Sequence, residues 1–106
     1  MFSCRLIGSR ARGDARPDSD WDVLVEATPP IVSNARWFDE LCVEIQKYEK
    51  AARAAAFEFL SSRPDYDGGE VDVFLVVNWG QTTLALLLEW DDVHCCYGGW
   101  LEPIPE

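Results

Sequence analysis

Three aspartates, Asp20, Asp22 and Asp72, stand at the beginnings of two predicted strands. The two-residue period of a strand places Asp20 and Asp22 on one face, about 7 Å apart along the chain. Carboxylates this close repel each other unless a cation lies between them, and hard oxygen ligands suit Mg²⁺ or Mn²⁺. If the apolar strand Glu70 to Val77 lies beside the first strand, Asp72 completes a three-carboxylate metal site. Two such ions could align an attacking oxygen and a leaving pyrophosphate.

A glycine and a serine end the first predicted strand, which runs from Ser3 to Ile7. Because Gly8 has no Cβ, the backbone at Gly8-Ser9 can approach a phosphate closely, and the Ser9 hydroxyl can face the same anion. A short helix is predicted to follow. Its positive N-terminal end and the guanidinium groups of Arg10 and Arg12 favour a triphosphate. We interpret Arg16 as a solvated turn residue.

The order and spacing of these residues resemble the signature of the DNA polymerase beta-like nucleotidyltransferase superfamily, and most closely its small stand-alone members, the minimal nucleotidyltransferases. The matching positions are Gly8, Ser9, Arg10, Ala11, Arg12, Gly13, Ser19, Asp20 and Asp22. The resemblance covers roughly residues 4 to 77, and its specific motifs are confined to residues 8 to 22 and 70 to 74. It implies a domain that uses two Mg²⁺ or Mn²⁺ ions with a bound nucleoside triphosphate, ATP being favoured.

The resemblance also implies a role for each matching residue. Asp20 and Asp22 would bridge the two metals, and Asp72 would hold the metal that lowers the pKa of the nucleophile. Gly8-Ser9 would contact the β- and γ-phosphates. The remaining candidate nucleotide-binding residues are Arg12, Arg10 and Ser19, and of the arginines the motif itself supports Arg12.

A long helix and a few strands must position these groups. Apolar residues recur at steps of three and four and predict a helix from about Ala35 to Leu60, capped by Ser33 or Asn34; they are Phe38, Leu41, Ile45, Tyr48, Ala52, Ala55 and Phe59. Leu84 to Trp90 could form either a short helix or a further strand, and we favour the helix. The predicted fold is α+β, a minimal nucleotidyltransferase fold with a small mixed sheet and helices packed mainly on one face.

The chain of 106 residues is predicted to form one domain, with residues 78 to 106 as an aromatic, acidic C-terminal segment. Its net charge is -10, but residues 1 to 16 hold four arginines against one acid. Residues 64 to 106 hold nine acids and no Lys or Arg. Since the chain offers no basic stripe for a long nucleic acid, we do not expect it to bind one unaided. The acidity favours a small-molecule acceptor or a basic protein partner.

Neither a membrane span nor a signal peptide is expected, because Gln81 and other polar residues interrupt the longest uncharged run and Arg5 falls in the N-terminal apolar stretch. We therefore expect a cytoplasmic protein. Minimal nucleotidyltransferases usually carry a helix ahead of the first strand, and this chain begins almost with that strand. Either the C-terminal aromatic residues or a second subunit, in a homodimer, would have to cover that part of the sheet.

The sequence predicts Mg²⁺-dependent transfer of a nucleoside monophosphate to an acceptor hydroxyl with release of pyrophosphate. The stand-alone family members that this chain resembles act as antitoxins and adenylylate a tyrosine of a HEPN-domain toxin, which makes a protein hydroxyl our first choice. An RNA 3' end or a small molecule comes second. The alternatives from other classes are a non-catalytic acidic protein that neutralises a basic partner and a subunit of a larger split enzyme.

Overall fold

A mixed sheet forms the centre of the computed structural model, which describes residues 1–105. The strands are β1 (Phe2–Ile7), β2 (Trp21–Ala27), β3 (Val32–Ser33), β4 (Val71–Trp79), β5 (Thr82–Leu87), β6 (Trp90–Asp91), β7 (Cys96–Tyr97) and β8 (Trp100–Leu101). The helices are α1 (Gly8–Arg12) and α2 (Phe38–Ser61). The strand order is β1-β2-β4-β5-β8, with β3 also paired to β4, while β6 and β7 form a separate hairpin.

The two aspartate-bearing strands, β2 and β4, lie side by side and run parallel. The connection between them contains α2, as a parallel crossover requires. Strand β1 flanks them on one side and β5 on the other, both antiparallel to their neighbours. The ends of β1 and β5 and the beginnings of β2 and β4 therefore meet at the same edge of the sheet.

Helix α2 packs against one face of the sheet, as its apolar stripe predicts. Its buried residues are Leu41, Cys42, Ile45, Ala52, Ala56 and Leu60. The helix begins at Phe38 rather than Ala35, and its N-cap residue is Trp37 without a side-chain cap. The predicted caps are wrong, because Ser33 belongs to β3 and its buried hydroxyl donates to Glu44. Within residues 1–105, neither helix is long and apolar enough to cross a membrane.

The favoured helix over Leu84 to Trp90 is wrong. Residues Thr82–Leu87 form β5, which pairs with β4 in register from Trp79 opposite Thr82 to Phe74 opposite Leu87. A two-residue turn joins the strands, and Gly80 in that turn has φ 62°. The long apolar strand β4 offers hydrogen-bonding partners along the whole run. This pairing makes the run a strand, although it is too short for periodicity to distinguish a strand from a helix.

The opposite face of the sheet carries a smaller apolar cluster formed by the buried Ile7, Leu24 and Ala85. Leu101 and Ile104 of the C-terminal segment pack against it. The aromatic residues of that segment contribute mainly elsewhere. Trp79, Trp90 and Tyr97 join the larger core on the α2 face, and Trp100 remains half exposed beside Phe38, the ring centres being 5.1 Å apart. The segment thus covers the sheet, but through aliphatic side chains.

Candidate active site

Gly8 connects β1 to α1 with a backbone conformation that few other residues adopt, φ +73°. A Cβ at this position would lie 2.6 Å from Oδ2 of Asp22, far inside contact distance. The short helix then ends at Gly13, whose N–H donates to the Ser9 carbonyl over 3.0 Å. Both the backbone angle and the space available therefore require glycine where the chain passes Asp22.

The predicted carboxylates meet at the shared edge of the sheet. Asp22 of β2 and Asp72 of β4 are direct partners in the parallel register, and both are half buried. Asp20 immediately precedes β2 and is exposed. Asp20 and Asp72 lie close enough to Asp22 for their charges to raise its pKa. The structure thus brings together the three residues that the sequence predicts for the catalytic centre.

Burial, followed by the crowding of like charges, disfavours the ionised forms of Asp22 and Asp72. Burial raises the pKa of Asp22 to about 6, and the neighbouring charges of Asp72 and Asp20 act in the same direction. Burial also raises the pKa of Asp72, followed by the charges of Asp20 and Glu89. A cation would relieve this repulsion, because it favours the ionised form of each carboxylate.

The three aspartates are a possible set of ligands for a divalent cation. Among residues 1–105, no three His, Cys, Asp or Glu side chains are already arranged as a metal-binding cluster. The chemistry of Asp20, Asp22 and Asp72 nevertheless fits Mg²⁺ or Mn²⁺, since all three offer hard oxygen ligands and two have raised pKa values that a cation would lower. Binding of two metal ions stays a prediction, in which these three side chains would be the protein ligands.

The other predicted nucleotide contacts lie in and beside α1. Ser9 is half buried on the helix, and the Ser19 hydroxyl accepts the Arg16 backbone N–H over 2.9 Å. Arg12 is exposed, with its Nε 3.3 Å from Asp14 Oδ2. Its positive charge partly opposes the rise in the pKa of Asp22 that burial and the two neighbouring acids cause. The phosphate contact of Arg12 stays a prediction.

Arg10, also predicted to bind the nucleotide, has protein partners. Its Nη2 donates to the Ser19 carbonyl over 2.8 Å, and its Cζ lies 4.3 Å from the centre of the Trp21 ring. Its side chain is 14% exposed, against 64% for Arg12. The two arginines therefore differ in how free they are to reach a ligand.

A cleft of about 400 Å³ opens on the β5 side of the aspartates. Asp20, Asp72, Glu70, Glu89 and Arg53 contribute the charged side chains that line it. Sequence reasoning missed the last three. Glu89 follows the apolar run that includes β5. An acid at the end of a strand would have suggested a site residue, but the prediction of a helix for this run removes that signal.

A family model described as a nucleotidyltransferase domain matches residues 3–60, more than half of the chain. The chain belongs to this family. The resemblance to the minimal nucleotidyltransferases of the DNA polymerase beta-like superfamily is thereby confirmed, and so is the α+β fold. Comparisons with curated proteins and with solved structures returned no match.

The family match includes Gly8, Ser9, Asp20 and Asp22 but ends before Asp72. Asp72 is connected to the matched part by geometry, through its register with Asp22. Family membership supports nucleotidyl transfer in general.

Proposed function

We propose that the chain transfers a nucleoside monophosphate from a nucleoside triphosphate, with ATP favoured, to an acceptor hydroxyl and releases pyrophosphate. One observation carries this proposal, the register that places Asp22 beside Asp72 on adjacent parallel strands, with Gly8 packed against Asp22. Asp20 provides the third carboxylate. Bound Mg²⁺ or Mn²⁺ would neutralise the phosphate charge and lower the pKa of the attacking hydroxyl.

The order of the strands supports binding of the donor and the acceptor on opposite sides of the aspartates. Gly8-Ser9 follows β1, on one side of the aspartate pair, and the cleft with Glu89 lies at β5, on the other side. In-line displacement needs the nucleophile opposite the leaving pyrophosphate. The donor triphosphate would then bind along α1, with Ser9, Arg12 and Ser19 as contacts, and the acceptor would enter through the cleft.

The charge of the cleft supports a protein hydroxyl as acceptor. Besides the predicted metal ligands Asp20 and Asp72, the carboxylates of Glu70 and Glu89 line it. The guanidinium of Arg53 in its wall is held by Glu49, at 3.3 Å, and by a backbone carbonyl. A cleft with this charge repels an RNA 3' end and attracts a hydroxyl with basic neighbours. A basic partner such as a HEPN toxin, modified on a tyrosine, fits this chemistry best.

Calorimetric titration with ATP, CTP, GTP and UTP, each with and without Mg²⁺, tests the donor site. We expect metal-dependent binding of one nucleotide. Asp20→Asn/Asp22→Asn should abolish the binding, whereas Asp18→Asn, which removes an exposed acid from the loop before β2, should not. A folded wild-type protein that binds no nucleotide would reject the proposal and favour the non-catalytic acidic binding protein.

The acceptor is tested with α-labelled nucleotide and three probes, a tyrosine peptide with basic neighbours, the same peptide with acidic neighbours, and an RNA oligonucleotide. We expect label on the basic peptide. Glu70→Gln/Glu89→Gln should raise its KM, while Glu102→Gln, an exposed acid in the C-terminal segment, should leave it unchanged. Preferential labelling of RNA would contradict the assignment of the acceptor. Location in the cytoplasm and assembly as a homodimer stay predictions.

A further inference from the structure

The guanidinium of Arg10 lies inside a set of protein contacts. It stacks on Trp21 at 4.3 Å, donates to the Ser19 carbonyl over 2.8 Å, and lies 3.7 Å from Asp67 Oδ2. A guanidinium that stacks on an aromatic face and also pairs with a carboxylate is strongly held. The Nη2 and the guanidinium face of Arg10 are therefore engaged by the protein, and its buried Nε has no hydrogen-bond partner within residues 1–105.

Asp67 joins this set from the loop before β4. Its Oδ1 accepts the Trp21 indole N–H over 3.0 Å and the Gly69 backbone N–H over 3.0 Å. These two hydrogen bonds, that of Gly69 first, hold the pKa of Asp67 below its ordinary value, and the charge of Arg10 adds to them. Asp67 thus remains ionised and connects three separate stretches of the chain.

Trp21 is the first residue of β2 and lies between Asp20 and Asp22 in the sequence. It is 2% exposed, and its backbone N–H donates to the Glu70 carbonyl over 2.8 Å. Because Asp20 and Asp22 are its sequence neighbours, contacts that hold the Trp21 side chain also restrain the backbone that carries both. The Trp21 N–H bond to Glu70, two residues before Asp72, joins this backbone to the beginning of β4.

We propose that Arg10, Trp21 and Asp67 form a clamp that positions Asp20 and Asp22 against Asp72 for cation binding. The inference rests on the proposed function and assigns Arg10 a positioning role in place of the predicted phosphate contact. The clamp joins α1, the start of β2 and the loop before β4, which are the three stretches that meet at the site. Residues that orient metal ligands in this way affect metal affinity without touching the metal.

Three variants of the full chain test the clamp by calorimetry with Mn²⁺ alone and then with Mn²⁺ and ATP. Arg10→Gln removes the cation, Trp21→Phe keeps a ring but removes the indole N–H, and Asp67→Asn removes the charge. Each should weaken Mn²⁺ binding about ten-fold, the range found for residues that orient metal ligands. Asp65→Asn is the matched control, since Asp65 lies in the same loop and pairs with Arg63, at 3.0 Å, outside the clamp.

The effects of Arg10→Gln and Asp67→Asn should also be non-additive, because both remove the same ion pair. Two results would overturn the clamp. In one, Asp67→Asn binds Mn²⁺ as well as Asp65→Asn does. In the other, Arg10→Gln alone has an effect and acts on ATP affinity at saturating Mn²⁺, which would make Arg10 a phosphate contact after all.

If the proposed function is wrong, the wild-type protein itself should bind neither Mn²⁺ nor Mn²⁺ with ATP. The clamp is then judged by hydrogen exchange of the Trp21 amide. We expect exchange about ten-fold faster in Arg10→Gln and Asp67→Asn than in Asp65→Asn, because loss of one charge-assisted hydrogen bond changes a local opening equilibrium by about that factor. Equal exchange rates in the three variants would overturn the clamp independently of any ligand.

Discussion

Replacing Asp22 by asparagine should stabilise the metal-free protein although it removes a predicted metal ligand. In the folded state, burial and two neighbouring acids raise the pKa of Asp22 from 3.8 to about 6. A difference of this size corresponds to about 3 kcal/mol at neutral pH for a fully desolvated group. Asp22 keeps some contact with solvent, which reduces the expected gain to about 1 kcal/mol. For a domain of this length the midpoint of thermal unfolding should rise by about 4 to 8 °C.

The pH dependence of this effect has a definite sign. Between pH 3.8 and about 6, the folded state holds a proton on Asp22 that the unfolded state has already released. The contribution of Asp22 to the free energy of unfolding therefore decreases as pH rises through this window and is constant above it. Asp22→Asn has no such contribution, so the variant and the wild type should be equally stable near pH 3.5 and diverge toward pH 7.

Thermal and urea unfolding of wild type, Asp22→Asn and the control Asp18→Asn, each from about pH 3.5 to pH 8 without metal, measures the difference. Asp18 is exposed and should give no comparable gain. Added Mg²⁺ and nucleotide should stabilise the wild type and not Asp22→Asn, since a ligand stabilises only the state that binds it. A variant that is no more stable than wild type at pH 7.5 would refute the account of the site as a strained group of carboxylates.

Two further predictions follow from contacts beside and away from the site. Gly8→Ala should lose metal-dependent nucleotide binding, measured by calorimetry, and should destabilise the protein more than Gly68→Ala does, measured by urea unfolding. Both glycines have positive φ, but only at Gly8 would the added Cβ meet a side chain, with Asp22 Oδ2 at 2.6 Å. Equal losses of stability would show that the contact with Asp22 does not matter. Tyr97→Phe should cost about 1 kcal/mol in urea unfolding, since the hydroxyl of this buried tyrosine donates to Glu49 over 2.7 Å. An unchanged free energy of unfolding would argue against that hydrogen bond.

The motif from Gly8 to Asp22 could be identified from the sequence because its parts are close in the chain. Strand alternation assigned Trp21 and Asp22 to opposite faces, and the structure has Trp21 in the α2-side core while Asp22 faces the site. The apolar stripe of α2 was equally local, since every member repeats at helical spacing. In both cases, a periodicity over neighbouring residues was sufficient to predict which side chains face the core.

Other features depended on partners that are distant in sequence. Thr82–Leu87 became a strand because β4 supplied a ladder, and the run itself contains no signal that separates strand from helix. Arg10 looked like its neighbour Arg12 in sequence, and their difference comes from Asp67, which is far along the chain. Ser33, predicted as a helix cap, likewise pairs with the distant Trp79 of β4.

The family, the residue types of the site and the face on which each strand residue lies can all be predicted from the sequence. These depend on local chemistry and on the fixed repeat of a strand or helix. The shared register of Asp22 and Asp72, the position of Glu89 in the cleft beside Asp72, and the contacts of Arg10 with Trp21 and Asp67 arise only in the folded chain. The physical reason is that these relations are set by backbone pairing and burial between distant segments, which no local pattern contains.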